Sequence, residues 1–239
     1  NNGTMAGTVV GDLLLSDVAS VVAGAKGTVR ASKLRRSILV EKERPVDSHG
    51  EPISGTVKYT VLRQRSDVYL IISGTDDVST LVKTDLDVRT EDTVLGGYRV
   101  KVMSSVLTGF VATFGSFDPD LIWQQIGMER PAHYFTCGHS LGGTYSHVFG
   151  MIDPRSTSLA FGAFPFGYKL PFNRCTYCTL NSREGKKRVI NDIARRFYTS
   201  IFPAPPYREY FVDYEYQDSV KLHLAKTYRF ARVDTIKSL

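Results

Sequence analysis

A serine placed between two glycines is the feature of this sequence with the clearest capacity for chemistry. Ser140 lies in Gly138-His139-Ser140-Leu141-Gly142, a Gly-x-Ser-x-Gly pattern between a predicted strand and a predicted helix. In a sharp strand–turn–helix, a side chain two residues to either side of the serine would collide with the turn, so both places need glycine. The turn lifts the serine Oγ above the sheet, and the N-terminus of the next helix favours negative charge there. The pattern therefore favours a nucleophilic serine over an ordinary glycine-rich loop.

A loop upstream of Ser140 could stabilise the oxyanion that a nucleophilic serine would create. The predicted buried strand Asp67 to Ser73 runs into the small polar turn Ser73 to Asp77. When a serine lies in such a turn, one oxyanion donor comes from an earlier strand–helix loop. The other is the backbone N–H of the residue after the nucleophile, here Leu141. Alone, Ser73 to Asp77 would be an ordinary turn; together with the serine motif it becomes a candidate oxyanion hole.

A nucleophilic serine needs a base within hydrogen-bond reach, and the chain offers five histidines. His49 lies in a charged loop and His133 begins a strand, both before the serine. His139 lies inside the turn and should point away from the direction of attack, and His147 lies on the next helix. The base comes last in the chain in folds with this motif, which leaves His223.

The elements that must position these residues alternate between strands and helices. We predict the following segments: a helix over 12–25, a charged surface loop over 30–54, strands over 56–63, 67–73, 98–103, 133–137 and 158–161, one broken helix or two over 105–128, and a helix over 141–151. Alternating strands and helices predict an α/β fold with a mainly parallel central sheet covered by helices on both faces. We expect one domain over residues 1–239, with the helix and charged loop of 1–55 packing on it.

The composition is that of an ordinary globular protein. The 239 residues are 42% hydrophobic and carry a net charge of +6, since 30 Lys and Arg oppose 24 Asp and Glu. No apolar run approaches the roughly 20 residues of a membrane span, and no intact signal peptide begins the chain. A matured secreted protein or a piece of a longer precursor would fit. Cys175-x-x-Cys178 lacks a second Cys or His pair, so we expect no metal site.

Several motifs together resemble the class 3 lipases, the fungal-type triacylglycerol lipases and related plant phospholipases of the α/β-hydrolase superfamily. The resemblance spans roughly residues 56 to 230. The serine turn, Gly138 to Gly143, is identical to that of the family. Four other segments match it more loosely: Ile71 to Thr75 with Thr84-Asp85-Leu86, Gly109-Phe110, which the family has before a long helix, Phe161 to Gly167, and His223 with Tyr228. It implies a serine ester hydrolase that acts on lipid carboxylic esters and needs no metal or cofactor. By the resemblance Ser140 is the nucleophile, Thr75 is an oxyanion donor beside Leu141, and residues 76–86 form a lid.

The resemblance leaves the acid of a Ser-His-acid triad open among three residues. Asp192, in Val189-Ile190-Asn191-Asp192, is the best match to the family's segment, although its spacing is compressed. Glu184 has the Asn-x-x-acid spacing but lies early, and Asp213 is the third candidate. We favour Asp192.

Departures from the family favour an alternative, a lipase-like structural or lipid-binding module with weakened or lost catalysis, including a part of a larger or viral polyprotein. The acid has no clean position, Ser73 replaces the family's Arg, and the His that precedes Gly109-Phe110 in the family is absent. Two basic runs, Lys26 to Arg44 and Arg174 to Arg196, are either solvated surface or a patch for anionic lipid headgroups. No nucleic-acid motif accompanies them, and the oligomeric state stays open.

Overall fold

The computed structural model describes residues 9–10, 13–14, 18, 34–74, 89–164, 177–183, 192–194, 208–213, 218–224, 228 and 232–233. Its strands are β1 Val9–Val10, β2 Leu13–Leu14, β3 Ile38–Lys42, β4 Tyr59–Gln64, β5 Asp67–Ile72, β6 Thr90–Leu95, β7 Tyr98–Met103, β8 Tyr134–His139, β9 Ser156–Phe161, β10 Tyr177–Arg183, β11 Arg208–Asp213 and β12 Arg232–Val233. Its helices are α1 Ser104–Phe114, α2 Pro119–Ile126, α3 Leu141–Ile152 and α4 Ser219–His223.

Within the described residues, the main sheet has eight strands in the order β12-β11-β10-β9-β8-β5-β4-β3. Strands β5, β8, β9, β10 and β11 run parallel to one another, whereas the pairs β3–β4 and β4–β5 near one edge and β11–β12 at the other are antiparallel. The expected α/β sheet is therefore mixed, with a parallel centre. Because parallel strands end at one common edge, this sheet can bring distant loops together there.

Strand β5 lies inside the sheet between β8 and β4, and its sequence is apolar on both faces. The five residues from Val68 to Ile72 are all buried, as the continuous apolar run predicted. The parallel register pairs Ile72 with Gly138 of β8. This pairing sets the end of β5 beside the turn that carries Ser140.

The chain between β7 and β8 forms two helices, as the turn residues predicted. Gly115 ends α1 with a φ of 82°, which glycine adopts without steric cost. Asp118 caps α2 by accepting a hydrogen bond from the Asp120 N–H, and Pro119 takes the first helical position. Gly109 and Phe110 lie inside α1, within the range 105–128 that we predicted as helix.

Aromatic rings from the helices and β8 form much of the core beside the sheet. The ring of Phe149 on α3 lies 5.3 Å from that of Phe110 and 5.0 Å from that of Phe114 on α1. Trp123 on α2 packs edge-on against Tyr134 of β8 at 4.9 Å. Helix α3 is buried along nearly its whole length against β8 and β9. The helix that follows Ser140 is therefore packed against the sheet and α1.

Two predictions for the N-terminal region are wrong. Leu13–Leu14, within the predicted helix 12–25, pairs antiparallel with Val9–Val10. The intervening Gly11-Asp12 favours a two-residue hairpin, a local signal that prevailed over the helical spacing of Leu14 and Val18. Val18 is helical and buried, and the rest of 12–25 lies outside the described residues. The predicted loop 30–54 contains β3, which adds an edge strand to the main sheet.

No helix in the described ranges is long and apolar enough to cross a membrane.

Candidate active site

Ser140 occupies a sharp turn between the end of β8 and the start of α3. Its φ of 57° and ψ of −124° lie where a residue with a side chain is strained. Its N–H donates to the Phe161 carbonyl oxygen at 2.9 Å, and its own carbonyl accepts from the Thr144 N–H at 3.1 Å. These hydrogen bonds fix the strained residue between β9 and the first turn of α3.

The turn requires glycine on both sides of Ser140, as its sequence pattern predicted. A Cβ on Gly138 would lie 2.3 Å from the carbonyl carbon of Gly142, across the turn. A Cβ on Gly142 would lie 2.3 Å from the carbonyl oxygen of Ile72, at the end of β5. Both contacts are with backbone atoms, which cannot move aside as a side chain could. Larger residues would therefore force the turn away from β5.

His223, the last residue of α4, lies against Ser140. Its Nε2 is 2.9 Å from the Ser140 Oγ, although 83 residues separate the two in sequence. Helix α4 begins at a capped end, because the Asp218 side chain accepts from the Val220 N–H at 2.8 Å. The side chain of His223 is fully buried, and that of Ser140 is 1% exposed.

Asp192 lies on the other side of His223. Its Oδ1 is 2.6 Å from the His223 Nδ1 and also accepts from the Ala194 N–H at 2.8 Å. Its Oδ2 accepts a hydrogen bond from the Tyr228 hydroxyl. Of the three acids considered from the sequence, Glu184 lies outside the described residues. Asp213 is described only by its backbone at the end of β11.

The surroundings of Asp192 keep its carboxyl group ionised. Complete burial alone would raise its pKa, but attraction to His223 and hydrogen bonds from His223, Tyr228 and the Ala194 N–H outweigh burial. The net effect lowers the pKa of Asp192 below its ordinary value. An ionised Asp192 only accepts hydrogen bonds, so the His223 Nδ1 carries a proton. In neutral His223 the Nε2 is then free to accept the Ser140 hydroxyl proton.

Gly162, directly after β9, lies against Asp192 and His223. With a φ of 57°, a Cβ here would lie 2.6 Å from Asp192 Oδ2, 2.9 Å from the Tyr228 hydroxyl and 3.0 Å from His223 Nδ1. The family resemblance included the turn at Phe161-Gly162, but the sequence did not show that Gly162 lies against Asp192. The signal available was a glycine directly after a buried strand, where a neighbour approaches the backbone closely.

The predicted oxyanion hole is described in part. Leu141 opens α3, so its N–H belongs to the first turn, which has no acceptor within the helix. Gly74 follows β5 and passes close to the turn, since a Cβ there would lie 2.7 Å from the His139 carbonyl oxygen. Thr75 lies outside the described residues, as do the predicted lid 76–86 and the end of the 161–167 turn.

The other histidines lie away from the Ser140 hydroxyl. His147 is buried on α3, where its Nδ1 is 3.0 Å from the Ser158 Oγ, and burial lowers its pKa to about 3. His133 is exposed and its Nε2 lies 3.0 Å from the Thr157 Oγ1, and His49 lies in an exposed turn. His139 is buried with its Nε2 on the main-chain carbonyl oxygen of His223.

Comparison with known proteins adds evidence on the fold. No protein-family model matches the chain, and no curated protein matches it. Among solved structures, a triacylglycerol lipase from Penicillium expansum is 16% identical, with 92% of this chain and 89% of that chain covered and a TM-score of 0.53. Lipase II from Rhizopus niveus is 17% identical over 92% of this chain and 79% of that chain, with a TM-score of 0.54. Lip2 lipase from Yarrowia lipolytica is 14% identical over 83% and 77%, with a TM-score of 0.54.

At such low identity these structures bear on architecture alone, and they confirm the fold that the sequence resemblance implied. The chain has the α/β-hydrolase fold of the fungal lipases.

Proposed function

We propose that this protein is a serine ester hydrolase that acts on lipid carboxylic esters, of the triacylglycerol lipase or phospholipase type. The observation that carries the proposal is the buried chain of contacts from Ser140 Oγ through His223 to Asp192, at 2.9 and 2.6 Å. A nucleophile, a base and an acid in that order are the parts that acyl transfer through serine requires. Ser140 also has the strained backbone that such a turn imposes.

Acylation follows from the geometry. The Ser140 oxygen attacks the ester carbonyl carbon while its proton passes to His223 Nε2, which is 2.9 Å away. Asp192 stays ionised and stabilises the imidazolium that forms. The Leu141 N–H, and by proposal that of Thr75, donate to the oxyanion of the tetrahedral intermediate. His223 then gives its proton to the departing alcohol, and the acyl group remains on Ser140.

Deacylation repeats these steps with water as the nucleophile. His223 takes a proton from water as the oxygen attacks the acyl carbon, and the same N–H groups stabilise the second oxyanion. His223 returns the proton to Ser140 as the carboxylic acid leaves. Every proton in this cycle is carried by the substrate, water or a side chain of this protein.

A lipid ester is the substrate class that the fold favours. The structures from Penicillium expansum, Rhizopus niveus and Yarrowia lipolytica are lipases, the first a triacylglycerol lipase, and they share this architecture. The strain at Ser140 argues against the alternative of a purely structural module. A positive φ costs on the order of 1–3 kcal/mol, which a domain without chemistry gains nothing from keeping.

The proposal is tested by hydrolysis of p-nitrophenyl butyrate and p-nitrophenyl palmitate, with and without detergent. We expect Ser140→Ala to lower kcat about a thousandfold or more, and Asp192→Asn to lower it by a comparable factor, with both proteins folded. Ser48→Ala, at an exposed turn, serves as the matched control and should retain full activity. Turnover that is equal in wild type and Ser140→Ala would favour the structural module instead.

A further inference from the structure

His139 connects the two parts of the candidate site that lie far apart in sequence. It is the last residue of β8 and directly precedes Ser140, yet its Nε2 is bonded to the main-chain carbonyl oxygen of His223. Its ring lies 4.8 Å from the His223 ring and 6.0 Å from the Tyr228 ring, centre to centre. The strand that carries the nucleophile is thus tied to the helix that carries the base.

The contact determines which nitrogen of His139 carries hydrogen. A carbonyl oxygen can only accept, so the Nε2 of His139 must be protonated and must donate. Burial, and next the nearby His223, lower the pKa of His139 to about 3, against weaker opposite effects of this hydrogen bond and of Asp192. His139 is therefore the neutral Nε2–H tautomer at ordinary pH, and its Nδ1 is unprotonated.

The His223 carbonyl lies at the end of a helix, where carbonyl oxygens lack a hydrogen-bond donor within the helix. His223 is the last residue of α4, so no N–H group of the same helix is placed to donate to its carbonyl oxygen. Helix α4 has only five residues, so its own hydrogen bonds hold its end weakly. A donor on β8 that binds this carbonyl fixes the main chain from which the His223 ring projects. The 2.9 Å contact with Ser140 depends on that main chain.

We propose that His139 is a positioning residue, which holds His223 in reach of Ser140 by donating its Nε2–H to the His223 main-chain carbonyl. The inference rests on the proposed function, since it assigns His139 a role in the same reaction. His139 does not touch the reacting atoms and acts through His223. Its neutrality serves the same end, because a cation here would oppose the positive charge that forms on His223.

The test compares two substitutions that differ in one property. His139→Gln keeps a side-chain N–H that can reach the carbonyl, whereas His139→Phe keeps an aromatic ring and removes the donor. We expect His139→Phe to lower kcat about 10- to 100-fold with KM nearly unchanged, because misplacement of a base affects the chemical step. His139→Gln should stay within about threefold of wild type, since the net strength of one hydrogen bond is small and is restored.

His147→Phe is the matched control. His147 is also buried, eight residues further along, and its pKa is lowered to a similar value, but it contacts Ser158 instead of His223. All variants are assayed well below their melting temperatures. His147→Phe should lose stability without a selective loss of kcat. An equal kcat in His139→Phe and wild type would overturn the inference, and so would a His139→Gln variant as impaired as His139→Phe.

A second readout does not depend on turnover. In uniformly ¹⁵N-labelled protein, His139 should have the nitrogen shifts of the Nε2–H tautomer. The low-field proton of the His223 Nδ1–H, bonded to Asp192, should weaken or shift in His139→Phe and stay in His139→Gln. An Nδ1–H or cationic His139, or an unchanged His223 proton, would refute the positioning role. If wild type lacks Ser140-dependent turnover, the proposed function fails. The spectra still show whether His139 donates to the His223 carbonyl and holds the His223 ring in place.

Discussion

Ser140 is held in a conformation that a residue with a Cβ avoids, and its neighbours explain how it is kept there. Its N–H and carbonyl are both bonded to backbone groups, and glycines at 138 and 142 let β5 and α3 approach the turn. Strain of on the order of 1–3 kcal/mol persists only where surrounding contacts determine the backbone. The contacts that keep the turn in place are therefore also those that position the Ser140 hydroxyl.

Buried neutral histidines make this protein sensitive to acid. In the folded state the pKa of His147 is lowered to about 3 by burial, whereas an unfolded histidine has a pKa of about 6.5. Between these values the unfolded chain binds a proton that the folded chain excludes. Stability is then complete above pH 6.5 and is lost as the pH falls, by about 1.4 kcal/mol per pH unit for each such histidine.

We predict that His147→Asn flattens this dependence. The variant removes one of two described histidines with pKa values lowered to about 3, the other being His139. Between pH 6.5 and 5, its free energy of unfolding in urea should fall about 1.4 kcal/mol per pH unit less steeply than that of wild type. The range from pH 6.5 to 5 lies above the pKa of most carboxyl groups, so their protonation contributes little to the difference between the two proteins. Parallel curves for the two proteins would mean that His147 is protonated in the fold.

The sequence indicated Ser140 and His223 of the candidate site more clearly than the residues that hold them in place. Ser140 and His223 could be chosen because the glycine pattern and chain order constrain them, while Asp192 was one of three candidates. An acid is recognised by what its oxygens contact, and the sequence assigned neither the Ala194 N–H nor the Tyr228 hydroxyl to Asp192. Tyr228 was matched only by its spacing from His223. The role of His139 was missed for the same reason, since its partner is a backbone atom 84 residues away.

At the scale of elements, α1 comes very close to its neighbours at Gly109. A Cβ there would lie 2.1 Å from the Tyr145 hydroxyl on α3 and 2.5 Å from the Gly55 carbonyl oxygen. The Tyr145 hydroxyl itself donates to that carbonyl at 2.5 Å. One glycine therefore lets α1, α3 and the loop before β4 meet at a single point.

We predict that Gly109→Ala destabilises the protein despite the better helix propensity of alanine. Propensity alone would favour alanine by about 1 kcal/mol, but the added methyl group must displace backbone, and overpacking of this kind costs about 1–3 kcal/mol. The free energy of unfolding should therefore fall by about 1 kcal/mol, and by up to about 2 kcal/mol where the cost of overpacking is greatest. Thr108→Ala, at an exposed position of the same helix, should change stability far less. A stabilised Gly109→Ala would show that α1 can shift freely.

The break between two helices was predicted because turn residues mark it in the sequence. The edge strand β3 was not predicted, because it forms through pairing with a neighbouring strand. The break between α1 and α2 follows from Gly115 and Asp118-Pro119, which are local. Strand β3 was predicted as loop because it is an edge strand, with exposed Leu39, Glu41 and Lys42 in place of a clean alternation. Its pairing with β4 comes from backbone groups that a hydrophobic pattern does not reveal.

At the scale of the whole molecule, the net charge of +6 favours anionic surfaces. Most of the basic run Arg174 to Arg196 and the first part of Lys26 to Arg44 lie outside the described residues. Within the described part, Arg35 and Arg36 are exposed. We propose that the protein binds peripherally to anionic lipid headgroups, which would concentrate an ester hydrolase at its substrate.

We predict binding to phosphatidylserine vesicles that weakens steeply with salt, because the charges involved are exposed and screened. Flotation at about 0.05 M and about 0.5 M NaCl should show binding only at the lower concentration, and phosphatidylcholine vesicles should show little at either. The double variant Arg35→Glu/Arg36→Glu should bind about tenfold more weakly. Binding that salt does not change, or none at low salt, would contradict the proposal.

The 83 residues between Ser140 and His223 also order events during synthesis. A ribosome that adds about 5–20 residues per second needs roughly 4–17 seconds to cover that interval. During this time the nascent chain contains Ser140 without His223 and Tyr228, which complete the contacts of the candidate site. Under the proposed function, a nascent chain that has not yet reached His223 therefore lacks the base and cannot hydrolyse esters.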